Sequence, residues 1–505
     1  MSLKKNIIAG YISQFYITTI GIITLPFYIK YMGSETYGLI GFFTMLQSWF
    51  NILDFGLTPT IARETAKFKA GISDTFFYHQ LFHTLSSFFL FTAAIGGIIL
   101  FLSAEYISYH WLKVEALPLT EVIFSLQIMT ISVALRWISG LYKGVISGSE
   151  LLVWLSGFNT LIASLRFLVV FPILWTFGNT PTIFFSFQLL VVFIEFSGLF
   201  FKSKSLLPHI KITRIFPPSI EPIKKILQFS LSIALTSGLW ILVTQTDKLI
   251  MSNLLSLEQY GYFTLAIVVA SGIMLISAPI SSAITPRMTK LYEEGKKEEL
   301  ISLYKTATQL ATLIAGSITI ILAGFSKSIL FLWTKNIYIA QAAAPILTLY
   351  AIGYGILVVS AFPYYLQYAI GKLKLHIIGS VIYIIILMPL LFWLTQQYGM
   401  HGAGYSWLTI NIIYLIGYTH IVHNKYIPKQ HFDWLFNDIF IPLIPSILVI
   451  LVTRYSFNFA ETVSLLQLSI ISITILAVSL LSNPITNKNL IVIKYFRNEQ
   501  SKQLT

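Results

Sequence analysis

The stretches "ETYGLIGFF", residues 35–43, and "EQYGYFTLA", residues 258–266, open on the same Glu-x-Tyr-Gly pattern 223 positions apart. Each leads into an apolar run and then a basic exit, "PTIARETAKFKAG" ending at Gly71 and "AITPRMTKLYEEG" ending at Gly295. Further on, "YKGVISGSEL" places Gly148 where "LQYAIGKLKL" places Gly371, again 223 apart. One offset recurring at separated points marks an internal repeat. The repeated unit holds an even number of apolar runs, so both copies enter a membrane in the same orientation. Parallel repeats related by an axis along the membrane normal follow, an arrangement that places a substrate site between two lobes.

Composition sets the class. Of 505 residues, 56% are hydrophobic and only 10% charged, with a mean hydropathy of +0.77. A soluble domain is usually about 25% charged, so this chain could not keep its surface in water. Apolar runs of about 20 residues match the thickness of a hydrocarbon core. They lie near 7–30, 37–60, 75–102, 120–142, 151–176, 181–201, 226–247, 260–284, 303–325, 342–368, 375–396, 402–424, 435–453 and 463–482. The expected fold is an all-α integral membrane protein of about 14 transmembrane helices. Two six-helix lobes surround a central cavity, and a C-terminal helix pair is appended. The expected boundaries are 1–201 for the first lobe, 202–225 for a cytoplasmic linker, 226–424 for the second lobe, and 425–505 for the helix pair and basic tail. Within the tail, "LIVIKYF" reads as a membrane-surface segment. The first run reads as a retained span, since no small-residue cleavage site follows it.

The net charge of +13 is topological. With these spans, 25 of the 33 Lys and Arg fall in one set of connecting segments and the termini, and six fall in the opposite set. That asymmetry is the positive-inside pattern, which places both termini in the cytoplasm. Nucleic acid is not an expected partner. The chain has no cysteine, which excludes disulfides and thiolate metal sites.

The two cations left over are Arg136 and Arg166, both inside apolar runs. Polar residues accompany them at helical spacing. Gln47, Asn51, Asp54 and Thr58 share one stripe. Ser125, Ser132, Arg136, Ser139 and Lys143 share another. Asn159 and Arg166 lie on the fifth run, Gln14 on the first, and Gln188 and Glu195, seven apart, on the sixth. Each stripe must meet protein or a water-filled cavity. Uncharged members commonly join helices by hydrogen bonds. The charged members are harder to dismiss, because each costs roughly 2.5–3.5 kcal/mol at a helix centre. At the 223 offset the deep charges Asp54, Arg136, Arg166 and Glu195 fall opposite Ser277, Val359, Pro389 and Tyr418. A one-sided charge set suits a substrate with one anionic end; an ion pair of arginine with Asp54 or Glu195 is the rival reading. The hydroxyl and aromatic groups of the second half, such as Ser360, Tyr364 and Tyr368, suit sugars or packing equally.

Other chemistry is sparse. His79 and His83 have a chelating spacing but no acid between them and no third ligand, and read as interfacial; no metal site is expected. Gly140, Gly144 and Gly148 at four-residue intervals read as a close helix contact. Asp247 and Lys248 read as an interfacial pair, and Pro442 and Pro445 as a kink. No P-loop, dinucleotide fingerprint or supported Ser–His–Asp set occurs, so no enzyme activity is expected.

The stretch "LPFYIKYMGSETYGLIGFFTMLQSWFNILDFGLTPTIARETAKFKAG", residues 25–71, resembles the opening of bacterial polysaccharide-transport proteins. These are the O-antigen and capsule repeat-unit flippases of the multidrug/oligosaccharidyl-lipid/polysaccharide exporter superfamily. The resemblance is strongest over about residues 7–72. It implies translocation of an undecaprenyl-pyrophosphate-linked oligosaccharide from the cytoplasmic to the periplasmic leaflet of the inner membrane, in a lipopolysaccharide or capsule pathway. It also implies no cofactor, coupling where present to a H+ or Na+ gradient, and contact with the polymerase and chain-length regulator of the same pathway. Arg136, Arg166, Lys143 and Asn159 become the expected substrate contacts, and Asp54 and Glu195 the counter-ions or coupling sites. Gln14, Gln47, Asn51, Ser132, Ser139 and Gln188 become the expected polar lining. A cation-coupled multidrug exporter of the same superfamily is the alternative, weakened by the absence of an acid in residues 7–30. A membrane glycan polymerase or ligase is disfavoured by the short external loops.

Overall fold

A computed structural model describes residues 3–207, 220–456 and 463–481. Half of the expected linker, residues 208–219, and the surface segment "LIVIKYF" lie outside the described residues. Helices account for nearly all of the rest. In chain order they are α1 (Leu3–Met32), α2 (Ser34–Phe50), α3 (Leu57–Lys69), α4 (Thr75–Tyr106), α5 (Leu119–Gly148), α6 (Leu152–Ser164), α7 (Val170–Phe177), α8 (Pro181–Leu206), α9 (Ile220–Leu254) and α10 (Leu257–Glu293). There follow α11 (Lys297–Ala311), α12 (Ser317–Gly324), α13 (Ser326–Thr334), α14 (Ile337–Ser360), α15 (Phe362–Ile370), α16 (Lys374–Tyr398) and α17 (Met400–Ile413). The last are α18 (Thr419–Tyr426), α19 (His431–Asp433), α20 (Ile441–Ser456) and α21 (Leu465–Leu481). Single π-helical turns join α6 to α7 and α11 to α12. Among the described residues, 10 helical segments are long and apolar enough to cross a membrane, and Leu465–Leu481 is a shorter apolar helix. The protein is an all-α, multi-pass membrane protein.

Three of the other expected spans correspond to the α2–α3 segment, to α9, and to the run from α17 to α18. The α2–α3 segment is not one helix. After Phe50 the chain makes a 3-10 turn over Asn51–Asp54, and Phe55 (φ 47°) and Gly56 (φ 69°) are left-handed. Glycine takes that conformation freely, whereas phenylalanine seldom does. Ser230 Oγ donates to the Phe55 carbonyl at 2.5 Å, which secures the turn from α9. The polar stripe expected along 47–58 is therefore cut in two.

The chain divides into two compact units, Met1–Gly261 and Tyr262–Thr505. In the first, the Glu-x-Tyr-Gly motifs cross. A Cβ on Gly38 would run into the Leu257 carbonyl, and one on Gly261 would lie 2.7 Å from the Ser34 carbonyl. Residues 34 and 257, and 38 and 261, are related by the same offset of 223, so the two contacts are reciprocal. The motif glutamate serves this crossing. Glu35 is buried, and its carboxylate accepts the backbone N–H groups of Glu115, Ala116 and Leu117 at 2.7–3.0 Å. The neighbouring Lys113 carbonyl accepts Leu257 N–H at 2.8 Å. Behind the crossing, α5 seats on α3 through its glycine stripe. Gly140 faces Thr58 Oγ1, Gly144 faces Ile61 and the Thr58 carbonyl, and Gly148 faces the Ala62 carbonyl.

In the second unit, Trp407 of α17 stacks on Tyr350 of α14 at 5.4 Å. The C-terminal helices α20 and α21 pack on α12 through Ile321, Phe325, Ile450, Ile471 and Ile475. Pro442 stands at the second residue of α20 and Pro445 inside it, just after a π-helical stretch at Trp434–Phe440.

Substituting Gly38 or Gly261 by Ala forces a methyl onto a backbone carbonyl. Each change should cost about 1–3 kcal/mol, read as a lower thermal midpoint of the detergent-solubilised protein. Gly10→Ala meets nothing within 4 Å and should leave the midpoint unchanged or slightly raised.

Candidate functional site

The deep charges of the first unit converge on one carboxylate. Glu195 of α8 is buried, at 6% side-chain exposure. Its Oε1 accepts Lys143 Nζ of α5 at 2.7 Å, and its Oε2 accepts Arg166 Nη2 at 3.0 Å. Arg136 Nε, two turns away along α5, stands 3.8 Å from Oε2. Three cations thus share one anion, an excess of two positive charges. The excess is not spread over water. The side chains of Arg136 and Arg166 are 15% and 26% exposed.

Helix geometry produces this meeting. Arg136 and Lys143 are two turns apart on α5, hence on one face. Gln188 and Glu195 are likewise two turns apart on α8, the helix against which α5 packs most extensively. Arg166 lies in the π-helical turn Leu165–Val169. A π turn breaks the regular hydrogen-bond ladder and leaves a carbonyl to be satisfied elsewhere. Gln188 Nε2 donates to the Arg166 carbonyl at 3.1 Å. One face of α8 therefore holds Arg166 twice, by its backbone and by its guanidinium. The Arg136 guanidinium carbon sits 5.5 Å from the centre of the Phe43 ring, a cation–π contact from α2.

The cluster is under-filled. Arg136 Nε and Nη2 and Arg166 Nε are buried with no hydrogen-bond partner among the described residues. A guanidinium presents five N–H donors in a planar fork suited to carboxylate and phosphate. The arrangement can accept a further anion without displacing a protein donor.

The other expected site residues stand apart. Asp54 accepts Thr58 Oγ1 at 2.6 Å and Thr58 N–H at 3.2 Å, and so starts α3 as a helix cap. No ion pair to Asp54 occurs among the described residues. Ser132 and Ser139, expected on the wet face, are buried at 1% exposure. They donate to the Ile128 and Leu135 carbonyls of their own helix. Gln14 is exposed and donates to Thr18 Oγ1. Asn51 is exposed and Asn159 half-buried, and the Gln47 side-chain nitrogen is buried without a partner among the described residues. No hydrogen bond joins these four to the Glu195 cluster among the described residues. Asp247 and Lys248 pair with each other at 3.4 Å. His79 and His83 lie ring to ring at 6.1 Å, and among the described residues no group of three His, Cys, Asp or Glu could hold a metal ion. Phe43 carries no signal in the sequence that distinguishes it from the apolar residues around it.

The family model described as "Polysaccharide biosynthesis protein" matches residues 3–292, more than half of the chain. The chain belongs to that family. Members of the polysaccharide biosynthesis protein family and their relatives are transporters, not enzymes. A curated relative from Shigella flexneri, described as a "Putative O-antigen transporter", is 22% identical over 413 residues, covering 81% of this chain and 94% of its own. Among solved structures, the lipid II flippase MurJ in an inward closed conformation aligns with a TM-score of 0.73 at 15% identity. The alignment covers 96% of this chain and 100% of that one. An inward-facing multidrug resistance MATE family transporter of the MOP superfamily aligns with a TM-score of 0.65 at 14% identity, over 80% and 94%. At these identities the two structures establish the fold, shared by this polysaccharide biosynthesis family member, and not the cargo.

Replacing Glu195 by Gln removes the single counter-charge of three cations. Breaking a buried pair costs about 3–5 kcal/mol. The loss here should fall below that range, because Lys143 keeps about a third of its side chain in solvent. Glu195→Gln should lower the thermal midpoint more than Lys143→Gln does. Adding Arg136→Gln to Glu195→Gln should recover part of the loss, since it deletes the least exposed of the stranded charges.

Proposed function

We propose that this protein is a flippase for an undecaprenyl-pyrophosphate-linked oligosaccharide, an O-antigen or capsule repeat unit. It moves the headgroup from the cytoplasmic to the periplasmic leaflet of the bacterial inner membrane, with both chain termini in the cytoplasm. The observation that carries the reading is the under-filled cationic cluster on Glu195. An excess of two positive charges with unused guanidinium donors matches a diphosphate diester, which is a dianion at neutral pH. Charge-assisted, bidentate contacts are the strong form of such recognition. Family membership and the curated relative support a polysaccharide cargo over a drug.

In this mechanism Glu195 is the counter-ion of the empty protein. It keeps Arg136, Lys143 and Arg166 together until the diphosphate arrives. Lys143, the most exposed of the three, receives the anion first, and Arg166 and Arg136 hold it deeper. Glu195 then shares its cations with the substrate and remains their common counter-charge when the substrate departs. The glycan and the prenyl chain need no charge from the protein; the chain stays in lipid. Movement follows alternating access between the lobes 1–201 and 226–424.

Deleting the gene should strand lipid-linked repeat units in the inner leaflet and remove surface glycan. Normal glycan with no stranded intermediate would sink the proposal, and altered drug tolerance with unchanged glycan would favour drug export. At matched protein level, Arg166→Ala should lower glycan export about 10-fold or more, the equivalent of one charge-assisted contact. Arg166→Lys should recover part of it, because charge survives and the fork does not.

A further inference from the structure

The second unit contains a carboxylate whose situation is the opposite of Glu195. Asp438 lies in the π-helical stretch Trp434–Phe440, within the membrane-length segment His431–Tyr455, at 1% exposure. Its Oδ1 accepts Gln309 Nε2 of α11 at 2.5 Å. Its Oδ2 is buried and has no hydrogen-bond partner among the described residues.

Among the described residues no cation is bonded to it. The nearest candidate, Lys305 of α11, is committed to Asp433 in an ion pair, and Asn437 Nδ2 completes Asp433 at 2.5 Å. Lys305 and Asp433 still act on Asp438 through space, as Asp438 does on Tyr304 of α11. The remaining ionisable groups nearby are occupied with one another. Tyr304 OH and His423 Nε2 lie 2.7 Å apart, and His423 Nδ1 and His431 Nδ1 lie 3.0 Å apart. Trp434 Nε1 donates instead to Thr308 Oγ1 at 3.1 Å. Along this polar seam between α11 and the start of the C-terminal helix pair, Oδ2 is the atom left over.

An ionised carboxylate inside a membrane protein needs a cation or several donors. Asp438 has one neutral donor. A proton on Oδ2 removes the charge without any further ligand, and the acid form keeps Oδ1 as acceptor for Gln309. We propose that Asp438 is a proton-binding site. The site belongs to the helix pair that has no counterpart in the internal repeat, and π-helical turns are frequent at functional positions. Combined with the transport reading above, on which only this consequence rests, proton uptake and release at Asp438 ties the conformational cycle to the proton gradient.

The first test needs no cargo. Infrared difference spectra of the full-length protein in liposomes, recorded between acid and alkaline buffer, should show a carboxylic-acid carbonyl band that titrates. Asp438→Asn should delete that band. Gln309→Leu removes the one hydrogen bond that favours the ionised form, and should move the band's midpoint to higher pH by about one unit. The Gln309 variant keeps the test decisive if the Asn variant fails to fold. A band unchanged in Asp438→Asn and unmoved in Gln309→Leu overturns the proposal. So does a midpoint that shifts with sodium at fixed ionic strength, which would make the ligand a metal cation. In a second arm, an imposed pH gradient should accelerate flipping of lipid-linked oligosaccharide by wild type several-fold, and not by Asp438→Asn. A titrating band with no cargo movement in wild type would retain the proton site and remove the flippase reading.

Discussion

A carboxylate that cannot reach water organises the first half of this protein. Glu195 is buried in a helix bundle, and its charge is tolerable there because three cations face it. Those cations are tolerable, in turn, because Glu195 is present. Neither side could be kept alone in a low-dielectric interior. The pairing ties α5, α8 and the π turn between α6 and α7 into one unit, and it orients both arginines. It also leaves the cluster short of negative charge, with guanidinium nitrogens of Arg136 and Arg166 that no protein group accepts from among the described residues.

A second constraint is closeness of backbones. Two Glu-x-Tyr-Gly motifs cross reciprocally, each glycine against a carbonyl of the other motif's segment. Glu35 anchors the connection between α4 and α5 beside that crossing. The glycines of α5 bring it equally close to α3. Without a hydrophobic drive between helices in lipid, small residues and local hydrogen bonds supply the association. Glu35, which looks like a site residue by type, is fully used in holding backbone N–H groups.

Several residues of the Glu195 ion cluster were legible in the sequence and several polar residues with the same signal do not join it. Arg136, Lys143, Arg166, Gln188 and Glu195 stood out as polar groups at helical spacing in apolar runs, and the fold brings them together. Asp54 carried the same signal and does something else. Its helix ends at Phe50, and the left-handed pair Phe55–Gly56 turns the carboxylate back onto Thr58. Ser132 and Ser139 shared the α5 stripe with Arg136, yet a hydroxyl can be satisfied by its own helix, and theirs are. A guanidinium has no such local outlet. Phe43 and Asp438 were invisible because their meaning lies in a neighbour more than 90 and 120 residues away, respectively.

By itself the sequence determined what the solvent is. Runs of apolar residues of bilayer length, the lopsided placement of Lys and Arg, and the 223-residue repeat all follow from residue order along one chain. They are properties of spacing, so no contact need be known to read them. Which carboxylate meets which cation was decided only by the tertiary structure. That outcome depends on where each helix breaks and how it is rotated about its axis. A π turn or a left-handed residue changes that rotation, and a glycine seam sets how closely two helices approach. Asp54 and Glu195 both stand in apolar runs, and packing made one a helix cap and the other the centre of the ion cluster.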